Sequence, residues 1–172
     1  MNINNENQGM LFPLKLIFLA AGILAGLLTA RVFLLPCQAP DASMEPAVPA
    51  KSYLLVQKRT NPAVGDIVLI ESPGDDGRVL LLRVAAADEA RVEMRNKILY
   101  VNGTRFTPSW KQIAHDQRVF PLHFTKRDIM PPVRLQREEY FLTADNTDRG
   151  YDSRYFGPVH KDNIIGTVIY IH

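Results

Sequence analysis

The stretch Gly65-Asp66-Ile67-Val68-Leu69-Ile70-Glu71-Ser72-Pro73-Gly74-Asp75-Asp76-Gly77-Arg78-Val79-Leu80-Leu81-Leu82-Arg83-Val84-Ala85 decides the fold class. Residues 67–71 and 79–85 are short apolar runs on either side of a segment that holds Pro-Gly and Asp-Gly. Runs of this length bounded by turn formers read as strands, and the connection makes them a hairpin. Residues 53–57, 91–95 and 98–101 read the same way, and Asn102-Gly103 supplies a tight turn after the last of them. That turn is sufficient reason for the residues there, although Asn102-Gly103-Thr104 also matches a glycosylation sequon. Further strands are expected at 118–124, 133–135, 139–144 and 167–171, with one short helix around 160–163. Sustained helical periodicity is missing from the whole soluble part. Residues 107–118 read as a surface insertion carrying Trp110, for which a membrane-surface wedge and core packing are equally open readings.

Upstream of the strands the text changes character. From Leu16 to Ala30 the chain is uncharged and rich in Leu, Ile and Ala; Leu11, Phe12 and Leu14 extend this run at the front and Val32 to Leu35 at the back. Its length is about that of a bilayer-spanning helix. Lys15 and Arg31 fall near its ends, where their long stems can carry charge to the headgroups. No small-residue cleavage site followed by a clean mature start stands out, so a retained anchor is favoured over a cleaved leader. The expected organisation is a short polar tail at 1–10, a transmembrane anchor at 11–36 and one β domain at 37–172. The tail is expected inside and the domain outside, on the periplasmic side of a bacterial inner membrane.

Composition bounds the function. The 172 residues are 47% apolar and 22% charged, which fits one core plus a membrane segment. The net charge of +2 is spread along the chain, with no basic face for nucleic acid. The single cysteine, Cys37, cannot form an internal disulfide. His115, His123 and His160 have spacings unlike a metal site, and no metal or cofactor is expected.

Three blocks then line up in order. Ser43-Met44-x-Pro46 after the apolar run, Gly65-Asp66-Ile67-Val68 before a hairpin, and Asp145-Asn146 with Asp152-Ser153-Arg154 near the end resemble the type I signal peptidase family. Leu82-Arg83-Val84, Leu99-Tyr100-Val101-Asn102-Gly103 and Pro132-Val133 leading into Tyr140-Phe141 are similar to that family too. The ending Asp152-Ser153-Arg154-Tyr155-Phe156-Gly157-Pro158-Val159 and the short length look like the smaller peptidases of conjugative-transfer systems. The resemblance covers nearly all of residues 40–170.

What the resemblance implies is a mainly β, coiled-sheet domain on one N-terminal transmembrane helix, which cuts leader peptides from exported proteins with a serine nucleophile and a lysine base. Ser43 matches the nucleophile and Met44 the residue after it, with Pro46 completing the motif. Asp145, Asn146, Asp152 and Arg154 match the late block, in which an Asp152–Arg154 ion pair is expected to brace the loop under the site.

The departures carry as much information. Leu82 stands where the family has its lysine, and a hydrocarbon chain has no lone pair to accept the serine's proton. Arg83 cannot substitute, because neighbouring strand residues point to opposite faces and a guanidinium keeps its proton. Gly150 stands where many members carry a second hydroxyl. Asp41 replaces a small oxyanion-supporting residue with a carboxylate, and Ala144 replaces a glycine.

Two functional readings follow. In the preferred one the chain is a degenerate homologue that binds an exported preprotein, a pilin-like tail, or a secretion or conjugation component at the lipid bilayer without cutting. In the alternative it is an active serine endopeptidase in which another group activates Ser43. Both expect an extended peptide added beside a strand.

Overall fold

The computed structural model describes residues 6–74 and 77–172. Asp75 and Asp76 of the Pro-Gly/Asp-Gly turn lie outside the described residues, as do residues 1–5 of the polar tail. The chain divides into two units, Met1–Leu34 and Leu35–His172.

The first unit is the helix α1 (Glu6–Phe33). Its apolar part, Pro13–Phe33, is long and apolar enough to cross a membrane. The backbone leaves helix at Leu34 because the residue before a proline, here Leu35 before Pro36, disfavours helical dihedrals. Residues 34–36 of the apolar run are therefore strand rather than helix.

The second unit is built on strands β1 (Leu34–Gln38), β2 (Tyr53–Lys58), β3 (Ile67–Glu71), β4 (Val79–Ala87), β5 (Arg91–Arg95), β6 (Ile98–Val101), β7 (Thr104–Arg105), β8 (Met130–Arg134), β9 (Glu139–Thr143), β10 (Val159–His160) and β11 (Ile164–Ile171). One seven-stranded sheet runs β1-β2-β11-β3-β4-β9-β10, and a four-stranded sheet runs β7-β6-β5-β8. The mainly β fold with one apolar N-terminal helix is thus the observed one.

Both faces of the β3–β4 hairpin are buried, which explains its uninterrupted apolar runs. The pairs Val68↔Leu82 and Ile70↔Leu80 face one cluster with Val84, Leu142 and Ala144, whereas Leu69↔Leu81 faces another with Met44, Val48 and Leu54. A register shift between Val84 and Ala86 breaks the pairing of β4 with β9, and Ala85 and Ala86 beyond it pack with β5 and β6 residues. Asn102 and Gly103, at φ 52° and 79°, form the tight turn between β6 and β7. Positive φ at both turn positions is what the asparagine-glycine pair supplies at low cost.

Residues 118–124 are not a strand. Pro121 lacks an amide hydrogen, and its carbonyl accepts from the amides of Phe124 and Thr125 to make a turn. Phe120 and Phe124 stack within that turn, at 5.3 Å between centroids. The expected helix at 160–163 is a single 3₁₀ turn, Lys161–Asn163, and the late block adds a four-residue helix, α2 (Ser153–Phe156), that periodicity could not reveal.

Candidate active site

Ser43 lies in the connection between β1 and β2, 8% exposed, and every polar atom it owns is engaged. Its Oγ donates to the carbonyl of Leu81 at 3.3 Å, its amide donates to Asp41 Oδ1 at 2.8 Å, and its carbonyl accepts from the Asn146 amide at 2.8 Å. Met44, fully buried, anchors the segment in the core on one side of the sheet, and the Glu45–Pro46 peptide bond is cis. The serine is thereby stitched to β4 and to the late block, although the three segments are far apart in sequence.

Leu82 is 1% exposed and sits among Val68, Leu80, Val84, Leu142 and Ala144, with Phe156 of α2 packed against the same cluster. Its surroundings are hydrocarbon. Arg83 points to the other face, as strand alternation requires. There its Nε and Nη2 donate to Asp145 at 2.9 and 2.6 Å, Nη1 donates to the Gly65 carbonyl at 2.7 Å, and the Trp110 ring covers the guanidinium at 4.9 Å from its centroid. Trp110 also lies against Gly65, 3.5 Å from where a Cβ would be, and 5.7 Å from the Phe106 ring. Trp110 is half-buried in these contacts and belongs to none of the core clusters. Burial pushes the Asp145 carboxyl above the usual carboxylate range, against the pull of Arg83.

The late block is held by Asp152. One of its oxygens accepts from the Ala144 amide at 2.9 Å, and both bind the Arg154 guanidinium at 2.8 Å. The carboxylate also caps α2 through the Arg154 amide. Arg154 reaches on to the Thr147 carbonyl at 2.9 Å. Burial works against its charge, but Asp152 more than offsets this and holds the guanidinium protonated beyond its ordinary range. The pair therefore fixes backbone, since buried amides and carbonyls that would otherwise lack partners are satisfied by it.

Gly150 makes the closest approach in the block. A Cβ there would fall 2.1 Å from Cβ of Ala144 and 3.2 Å from the Asn146 carbonyl oxygen. His115, His123 and His160 are exposed, and among the described residues the Leu81 carbonyl is the one hydrogen-bond acceptor of Ser43 Oγ.

The family model described as "Signal peptidase, peptidase S26" matches residues 12–172. The chain belongs to the S26 signal peptidase family. Among relatives, this S26 chain is similar to Signal peptidase I V of Bacillus subtilis (strain 168), 27% identical over 165 residues, 90% of this chain and 96% of that one. It is also 28% identical over 176 residues to Signal peptidase I P of Bacillus subtilis subsp. natto, covering 96% and 86% of the two chains. A crystal structure of a signal peptidase I from Enterococcus faecalis V583 matches with a TM-score of 0.47 and 25% identity, over 63% of this chain and 97% of that one.

In this S26 chain the fold brings Ser43, Asp41 and Asn146 into direct contact, and gathers Leu82 with Ala144, beside Gly150. Asp152 and Arg154 sit behind them and Asp145 on the Arg83 face. The role of Trp110 over Arg83, and of the insertion behind it, was not anticipated. One signal did exist: an arginine inside an apolar strand needs a buried carboxylate, and the late block offered one.

Proposed function

We propose that this chain is a membrane-anchored S26 homologue that recognises leader or tail segments of exported proteins and holds them without cutting. The observation that carries the reading is Leu82. It directly precedes Arg83, where the resemblance expects the lysine base, and it is packed in hydrocarbon. Ser43 Oγ meanwhile donates to a peptide carbonyl, which orients the hydroxyl but is far too weak a base to take its proton.

Two further features support the reading. The Asp41 carboxylate occupies the Ser43 amide, a donor that acyl transfer needs for its oxyanion, so charge developing there meets a like charge. Gly150 and Ala144 leave no space for a second hydroxyl. Loss of a general base costs about 10²–10⁴ in rate and loss of an oxyanion donor about 10²–10³. Groups acting as a unit do not add, yet either loss alone would leave little turnover.

The organisation that goes with this function is a tail at 1–10, an anchor at 11–36 and a β domain at 37–172. The tail is cytoplasmic and the domain faces the outer side of a bacterial inner membrane. The ending at 152–159 supports a conjugation or secretion setting, with a pilin-like peptide among the partners. The peptide binds extended beside a strand.

The test uses the full chain in lipid with a leader-bearing preprotein, wild type against Ser43→Ala. The expected result is equal binding and no product from either. A product from wild type that Ser43→Ala fails to make establishes the cutting enzyme instead.

A further inference from the structure

The charge of this chain is spread along its sequence, but strand register gathers part of it on one face. Val92 and Met94 of β5 belong to the core of the four-stranded sheet, so Arg91, Glu93 and Arg95 point to the sheet's other side. Arg134 of β8 is the register partner of Arg91, and Arg105 of β7 is that of Tyr100, which in turn opposes Glu93. This outer face carries the exposed Arg91, Arg95, Arg105 and Arg134, with the buried Glu93 among them. Glu93 is already bound to Arg95, whose guanidinium also lies over the Tyr100 ring, 5.0 Å from its centroid.

The Arg91–Arg134 pair is the unbalanced part of the face. Side chains directly opposite on neighbouring strands start about 5 Å apart, and like charges placed there repel. Among the described residues neither guanidinium makes a hydrogen bond or an ion pair. Both line a shallow depression together with Asn102, Pro132 and Glu89. Asn102 brings a further donor: its Oδ1 accepts from the Arg91 amide at 2.9 Å, which leaves the hydrogens of Nδ2 for another partner. Two guanidiniums and an amide thus offer donors, and the carboxylate of Glu89 is the acidic group in the lining.

We infer that this depression binds a phosphate group, held between Arg91 and Arg134. Each planar guanidinium can give parallel hydrogen bonds to one anion, and a tetrahedral phosphate has oxygens enough for both forks and for the Asn102 amide. A carboxylate has only two oxygens and satisfies one fork alone. Filling the site also cancels the like-charge contact across β5 and β8, so the bound anion stabilises the sheet that binds it. Glu89 repels the anion and limits its affinity. The chemistry is shared by phospholipid headgroups and by small soluble phosphates.

The test is NMR of the full chain in dodecyl maltoside micelles, which carry no phosphate, following the Asn102 side-chain amide and the Nε–H groups of Arg91 and Arg134. Inorganic phosphate should shift these signals saturably, and acetate at equal ionic strength should bind about threefold more weakly or worse. Arg91→Gln and Arg134→Gln should each weaken phosphate binding about three- to tenfold, whereas Glu89→Gln should tighten it about twofold. In phosphate-free buffer neither arginine change should lower the melting temperature, because each relieves the repulsion, and this separates lost binding from lost fold. Glycerol 3-phosphate compared with phosphatidic acid in the micelles distinguishes the sources: tighter binding of the lipid marks a headgroup as the occupant, and equal or tighter binding of the soluble compound marks a free phosphate. The inference is overturned if phosphate gives no saturable shift, if acetate binds as well, if either arginine variant binds as the wild type does, or if Glu89→Gln does not tighten binding.

Discussion

Cβ of Ala144 stands 2.1 Å from the point where any side chain at position 150 would begin, so the two positions share the volume of one methyl group. Gly150→Ala alone should destabilise by about 1–3 kcal/mol, the usual cost of overpacking a close-packed site. Adding Ala144→Gly should recover most of that loss, less about 0.5–1 kcal/mol for the extra glycine. Urea unfolding of the double-mutant cycle reads the coupling, and additive single effects would show that the positions do not compete.

The same relationship sets the route to reactivation. Leu82→Lys with Gly150→Ser and Asp41→Ser places a second hydroxyl against Ala144, so the set should fold well only with Ala144→Gly as its fourth member. With all four changes, cleavage of a leader-bearing preprotein in detergent should appear, and the further change Ser43→Ala should abolish it. A folded fourfold variant without proteolysis would refute the view that the rest of the site is intact.

Arg83 and Asp145 are both buried, and removing one partner strands the other charge. Asp145→Asn should cost about 3–5 kcal/mol, whereas replacing both residues by apolar ones of similar volume should cost much less. Thermal unfolding checks the difference. Equal losses in the single and double variants would mean that the pair contributes packing rather than charge.

The insertion carries its own acid sensitivity. Hydrogen bonds from Arg118 hold the Asp116 carboxyl well below the usual carboxylate range, and at Asp128 burial pushes upward but hydrogen bonds from Arg127 and the Phe120 amide outweigh it and lower the carboxyl. A carboxylate whose folded pKa is depressed contributes stability that is complete above its unfolded value, about 3.9, and is lost as pH falls through the folded one. Asp145 has the opposite sign. Its raised pKa favours the fold at low pH, and that contribution disappears as pH rises through the folded value. Fluorescence of Trp110, the only tryptophan, should therefore change as pH falls below about 4, reporting release of the insertion. Asp116→Asn with Asp128→Asn should flatten this change, and an unaltered transition would assign it to other groups.

Strand positions were legible because their signals are local. The runs at 67–71 and 91–95 coincide with β3 and β5, and Asn102-Gly103 announced its own turn through the dihedral angles it permits. The segment 118–124 misled because its apolar residues serve a proline turn and an aromatic stack, which alternation alone does not distinguish from a strand. Helix α2 was invisible for a different reason. Four residues are too few for a period, and what holds them is the Asp152 cap.

By itself the chain's text determined the apolar helix, the longer strands such as β3 and β5, and the chemical fact that the side chain of residue 82 carries no nitrogen. These depend on composition and on neighbours a few positions away. Only the tertiary structure decided that Arg83 finds Asp145 across 62 positions, that Asp41 occupies the Ser43 amide, and that Ala144 excludes a side chain at 150. Such contacts follow from how two buried sheets pack, and a local pattern carries no record of which distant atoms that packing brings within reach.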